Sequence, residues 1–268
     1  MAEKALLAAV VLAGRSSKEE DMLATYTLGR PKGLIPIAGR PMISYVVEAL
    51  GGAQHVGPIV VVGLLPEESP PFSVPISHVP DHGDMLANAE AGICHALAQA
   101  PHLAGVLISS ADLPLLTPAV VDDFIEECLL TEHDLYYGVV ERSVMEGRFP
   151  ASRRTYVRLT DGEFAGGDLI LMRTGVMMAN QELWRRLAQA RKNPIRQAFM
   201  LGGLWPLAKL LTHRMSLAEA VQRVSRALQI RGRAVVCACP EVGMDVDKPF
   251  QLEIARTELE GRSLGPLS

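Results

Sequence analysis

The chain has no CxxC pair and no Cys/His cluster at zinc-site spacing. Its four cysteines, Cys94, Cys128, Cys237 and Cys239, are scattered. This excludes a zinc ribbon or a disulfide scaffold, and predicts reduced, mostly buried thiols and a cytoplasmic location. Blocks of like charge are also missing, and the formal net charge is -4, which excludes a general nucleic-acid binder. No apolar run approaches the roughly 20 residues that a membrane-spanning helix needs. Leu201 to Leu211 is apolar but contains Pro206 and Lys209, and reads as a packed helical segment. The run from Ala5 to Ala13 after Lys4 has the look of a signal-peptide core, yet it leads directly into a glycine turn and a lysine motif that need it as a strand. Finally, there is no Ser/His/Asp arrangement, and the seven histidines, among them His82, His95 and His213, show no ligand spacing.

What is present is enough for a substantial core: 268 residues, 49% hydrophobic and 21% charged. The first half alternates short apolar runs with helical patterns, the signature of a parallel sheet with crossover helices. Strands are predicted at Ala5–Leu12, Pro58–Gly63, Gly105–Ser109 and Leu135–Val140. Helices are predicted from Pro41 to Leu50, over Met85–Ala100, and over Pro118–Leu130 with Thr117 as N-cap. Near residue 141 the pattern changes. Thr155–Leu159 and Gly167–Met172 suggest two strands joined through Asp161-Gly162, the stretch from Asn180 to Leu228 reads as helical, Ala234–Ala238 returns to strand, and Pro249–Glu260 closes as a helix. With no Gly/Ser linker and no repeat, the expectation is one domain over residues 1–268, with an acceptor-side insertion at roughly 141–230.

Four stretches carry chemistry. Leu12-Ala13-Gly14-Arg15 follows the first strand, and a glycine turn at a strand's C-terminal edge lets backbone N–H groups approach phosphates. Pro31-Lys32-Gly33-Leu34-Ile35-Pro36 then delivers a lysine, a point charge suited to triphosphate oxygens. Asp112, within Ser109-Ser110-Ala111-Asp112-Leu113-Pro114-Leu115, lies just past a buried strand, where it either points into a cleft or caps a turn. Gly243-Met244-Asp245-Val246-Asp247-Lys248-Pro249 offers two aspartates on the same side of an extended segment, the second of which also fits an N-cap of the last helix.

In this order and spacing, the stretches resemble the nucleotidyltransferase superfamily, which includes the sugar-phosphate nucleotidyltransferases, the cytidylyltransferase of isoprenoid synthesis and the molybdopterin-cofactor nucleotidyltransferases. The resemblance implies a Rossmann-like three-layer α/β fold with a mixed, mostly parallel sheet. It also implies transfer of an NMP unit from an NTP to a phosphorylated acceptor, with Mg²⁺ as cofactor and release of pyrophosphate. By the same resemblance, Leu12, Ala13 and Gly14 lie against the base and ribose and Lys32 contacts the phosphates. Asp112 binds Mg²⁺, and Asp245 supplies the second ligand with Asp247 as its competitor. Gly83 and Asn88, in the loop entering the second expected helix and in that helix's first turn, are candidates for base discrimination. The family opening is Leu-Ala-Gly-Gly-x-Gly-x-Arg. Here Arg15 replaces the second glycine and Ser16-Ser17-Lys18 the tail, which leaves Arg15 or Lys18 to stand in for the arginine.

The acceptor side is less specific. Gly166-Gly167-Asp168 sits where related chains often place Gly-Asn, and an aspartate there suits a phosphate-free part of the acceptor. Arg153, Arg154 and Arg158 are expected to form a solvated basic face. Two other functions remain open. A glycosyltransferase would favour Asp-x-Asp after the third strand, where this chain has Ser110-Ala111-Asp112. A non-catalytic nucleotide sensor of the same fold would explain the altered phosphate loop.

Overall fold

The structure, a computed structural model, describes residues 6–14, 22–179 and 214–263. Its centre is an eight-stranded sheet. Strands β1 (Leu7–Leu12), β4 (Val56–Val62), β5 (Ile76–Val79) and β6 (Gly105–Ser110) pair in parallel, with β1 between β4 and β6. Beyond β6 the long β9 (Gly162–Arg173) runs antiparallel to β6 and to β7 (Leu135–Glu141), and β10 (Gly232–Cys237) pairs in parallel with β7 at the edge. The short β8 (Val157–Leu159) folds back on β9. The fold is thus α/β with a mixed, mostly parallel sheet.

Alternation of side chains explains why the strands look continuously apolar, since a sheet covered on both faces buries odd and even positions alike. Leu7, Ala9 and Val11 join one core with Ile59, Val61 and Leu107. That face is covered by α2 (Met42–Gly52), α4 (Pro118–Leu129) and the last described helix, α8 (Pro249–Ser263). Ala8 and Val10 face the other way with Val60, Val62, Val106 and Ile108, under Ala89, Ile93 and Ala96 of α3 (Met85–Gln99). Thr117 caps α4 as expected, accepting from the Val120 amide at 3.3 Å. Asp84 does the same for α3, accepting from the Leu86 and Ala87 amides.

Several elements depart from the sequence expectations. β5 is an edge strand of four residues with a polar middle, too short to leave a periodic signal. A two-residue ladder, β2 (Pro36–Ile37) with β3 (Arg40–Pro41), shapes the turn before α2. Helix α5 (Arg142–Arg148) has no side-chain cap, and its visible supports are the buried Met145 and the Arg142–Glu146 pair at 2.9 Å. β9 starts at Gly162 rather than Gly167, because its first residues pair with β8 and its later ones with β7 and β6. After the short helices α1 (Ala24–Thr27) and α6 (Thr174–Ala179), the helical expectation of 180–228 is met over α7 (Leu217–Leu228). Residues 180–213, including Leu201–Leu211, lie outside the described residues. Cys94 is exposed, against the expected burial, while Cys128 and Cys237 are buried. Among the described residues no helix is long and apolar enough to cross a membrane.

Candidate functional site

The candidate residues gather at the C-terminal ends of the parallel strands, the edge at which open α/β sheets hold ligands. The turn after β1 is fixed by backbone: the Ala13 amide donates to the Val62 carbonyl at 2.8 Å, and the Gly63 amide to the Val79 carbonyl at 2.9 Å. Gly14 and Gly63 meet there. A Cβ on Gly63, whose φ is +91°, would collide with the Gly14 backbone, and one on Gly14 would come within 2.6 Å of Asn88 Nδ2. Main chain is therefore packed directly on main chain where the resemblance places the nucleotide, with Ala13 and Gly63 buried and Leu12 and Gly14 partly so. Leu12 and Ala13 are at this edge, while Arg15 and Lys18 lie outside the described residues.

Lys32 opens a single 3-10 turn, Lys32–Leu34. Gly33 lets that turn press on Ala111, since a Cβ added at Gly33 would sit 3.1 Å from Ala111 Cβ. Ala111 in turn donates to the Leu12 carbonyl at 3.0 Å. These contacts bring Lys32 Nζ onto Asp112 Oδ2 and, at 2.6 Å, onto Asp247 Oδ1. The Asp112 carboxylate, 6% exposed, also receives the Ser110 hydroxyl on Oδ1. Its described partners are thus Lys32 and Ser110 rather than a turn amide, which sets aside the turn-cap alternative.

A second strap joins the distant ends of the chain. The Val246 amide, between Asp245 and Asp247, donates to the Asp112 carbonyl at 3.0 Å. Asp245 is buried and Asp247 half-exposed on its carboxylate side. The Asp247 amide is capped by Gln251 Oε1 at 2.9 Å, but its carboxylate is engaged by Lys32 rather than by the first turn of α8. Burial alone would lower Lys32, yet Asp112 and Asp247 outweigh it and hold the ammonium well above its ordinary range. Asp247 is held below the usual carboxylate range because Lys32 overcomes the opposing effect of burial. Asp245 is pushed up to about 6 by burial, against the pull of Arg154.

Arg154 is where the expectation of a solvated basic face fails. Its guanidinium is only 15% exposed and forms an ion pair with Asp245 Oδ1. Arg154 Nε is buried without a hydrogen-bond partner, and Asp245 Oδ1 has the guanidinium as its ion-pair partner. Arg158 does fit the expectation, 59% exposed and paired with Glu163 at 2.6 Å, whereas Arg153 lies over the Phe250 ring at 5.4 Å. Asp168 stands next to Leu169, the β9 residue paired with Ser109 of β6, and interacts electrostatically with Asp245, Asp112 and Arg154. Burial and the neighbouring carboxylates push it up to about 8. Tyr137, which the sequence did not single out, feels the same carboxylates, and burial raises its hydroxyl above the ordinary range.

The base-side loop is also organised. Asn88, buried, accepts from the His82 amide at 2.7 Å and donates to Asp81 Oδ1 at 2.9 Å, so its side chain fastens the loop. Gly83 is exposed at the tip with φ +84°. Asp81, a residue the sequence reading missed, has its carboxylate within 3.4 Å of where a Gly14 side chain would begin.

Among the described residues no three His, Cys, Asp or Glu side chains converge tightly enough to hold a metal ion by themselves. Mg²⁺ commonly takes one or two carboxylates and completes its shell with phosphates and water. The buried Asp245 carboxylate, near enough to Asp112 to feel its charge, is a hard oxygen donor of that kind.

Comparison with known proteins agrees with this geometry. Residues 9–235 match the model of the MobA-like NTP transferase domain. The bifunctional protein GlmU of Rhodospirillum rubrum is 27% identical over 248 residues, which covers 88% of this chain, and the chain spans about half (52%) of that protein's length. A hypothetical transferase from Thermus thermophilus superposes with a TM-score of 0.77 at 36% identity, covering 92% of this chain and 99% of that one. A CMP:2-keto-3-deoxy-manno-octonic acid synthetase complexed with CTP shares the fold at a TM-score of 0.57 and 16% identity, covering 97% of this chain and 100% of that one. With its strand order, glycine contact and paired aspartate loops, the chain belongs to the family of MobA-like NTP transferase domains.

Proposed function

We propose that the protein transfers an NMP unit from an NTP to a phosphorylated small-molecule acceptor. A phosphate oxygen of the acceptor attacks the α-phosphorus, forming one P–O bond as the bond to the β-phosphate bridge breaks, and pyrophosphate leaves with the bond's electron pair. An acceptor phosphate is already a competent nucleophile, so the reaction needs alignment and charge stabilisation rather than a general base. Main chain at Leu12, Ala13 and Gly14 packs against the nucleoside, and the loop fastened by Asn88, with Gly83 and Asp81, lies on the base side. Lys32 exchanges its two carboxylates for phosphate oxygens. Mg²⁺ held by Asp112 and Asp245 would offset the charge developing on the α-phosphate and the leaving group. Asp247 serves as the resting partner of Lys32.

The observation that carries this reading is the convergence of Lys32, Asp112 and Asp247 across 215 residues of sequence, with Asp245 strapped beside them. The test is pyrophosphate release with each NTP in turn, Mg²⁺ and a panel of phosphorylated acceptors. Metal-dependent release with one pair of substrates is expected. Firm NTP binding with no turnover across the panel would instead favour the sensor.

A further inference from the structure

The cleft holds two cations on three of its carboxylates, and they approach from different parts of the fold. Lys32 comes from the nucleotide side, over Ala111 and the turn after β1. Arg154 comes from the segment leading into β8, next to β9 and Asp168. Each cation meets a buried carboxylate, and Arg154 in addition keeps its Nε buried with no hydrogen-bond partner. An unmet buried N–H is costly, so a ligand that offers Arg154 a second acceptor is favoured over Asp245 alone. A guanidinium presents a planar fork that matches two phosphate oxygens at once, which the single Asp245 oxygen does not supply.

Resting on the nucleotidyltransferase reading, we infer that Arg154 is the anion receptor of the acceptor subsite: it rests on Asp245 and exchanges that carboxylate for the acceptor's phosphomonoester. Arg154 and a divalent cation compete for the same oxygen, and an anion that draws Arg154 away removes the competitor. Anion binding at Arg154 and cation binding at Asp245 therefore strengthen each other, by equal factors in both directions.

The test titrates Mn²⁺ into the full chain, followed by electron paramagnetic resonance, with and without glycerol 3-phosphate as a soluble phosphomonoester and with free Mn²⁺ held equal. In the wild type the phosphomonoester is expected to tighten Mn²⁺ binding about fivefold or more, the scale of ordinary site-to-site coupling. Arg154→Gln is expected to bind Mn²⁺ more tightly on its own and to gain nothing from the phosphomonoester. Arg154→Lys keeps a charge on Asp245 should the glutamine variant fold poorly, and is expected to retain weak Mn²⁺ binding with a reduced gain. Mn²⁺ affinity that ignores the phosphomonoester, including no binding at all, overturns the inference, as does an undiminished gain in the variants. If Arg154→Gln weakens NTP binding while leaving the phosphomonoester effect intact, Arg154 serves the triphosphate and the acceptor assignment falls. Pyrophosphate release is read separately, so loss of the Arg154 coupling and loss of the catalytic reading are distinguishable.

Discussion

The two sides of the cleft are built differently. Around the turn after β1, where we place the nucleotide, Ala13, Gly14, Gly63 and Ala111 are held by main-chain hydrogen bonds and by glycine contacts. On the acceptor side, Arg154, Asp168 and Tyr137 come from separate strands and loops, and their placement rests on side-chain charge and burial. The contrast teaches where each kind of specificity is stored. A backbone cradle tolerates many sequences around a few obligatory glycines, while a side-chain pocket changes its preference with one substitution.

The largest effect expected lies where the two sides meet. Asp112→Ala should lower pyrophosphate release by about a thousandfold, the upper range for losing one preorganised electrostatic group. Circular dichroism and thermal melting should stay near wild type. An unfolded variant with ordinary residual turnover would make Asp112 structural and erase the distinction between the sides. Next is the backbone cradle. Gly63→Ala forces a Cβ into the Gly14 backbone at positive φ and should cost about 2–3 kcal/mol in chemical denaturation, the scale of overpacking combined with a strained backbone. A neutral result would mean that the turn yields easily.

Asp168 sharpens the other side. An unfolded aspartate ionises near 3.8, whereas the folded one holds its proton to about 8, so the folded state binds the extra proton between those values. Stability from this group is fully present below the lower value and is lost as pH rises through the higher one. Asp168→Asn should remove that loss. Its melting temperature is expected to match the wild type near pH 4, to rise above it by a few degrees toward pH 8, and to level off beyond. A constant offset at every pH would show that the carboxyl is not the cause. The smallest effect belongs outside the cleft. Ser216 accepts from the Glu219 amide at 3.1 Å in a capping box, and Ser216→Ala should cost about 1 kcal/mol in denaturation while turnover stays unchanged. A fall in turnover would place α7 closer to the chemistry than the fold suggests.

The same contrast explains what the sequence made legible. Strands β1, β4, β6 and β7, helices α2 to α4, and the meeting of Lys32 and Asp112 with the Asp245/Asp247 segment were readable because buried strands leave apolar runs and the charged residues sit in short motifs at strand ends. Arg154 was not, because an arginine before a short strand looks the same whether it faces water or a carboxylate contributed 91 residues later. Asp81 was missed for a related reason: it sits in a polar loop, and only the fold reveals its approach to Gly14. β5 and α5 escaped because each is held by its neighbours more than by its own periodicity.

The Val246 amide on the Asp112 carbonyl has a mechanical consequence. It ties the Asp112 loop directly to the segment that carries Asp245 and Asp247, so the spacing of these acids is set by main chain and not by their side chains alone, and a shift of either loop is felt by the other.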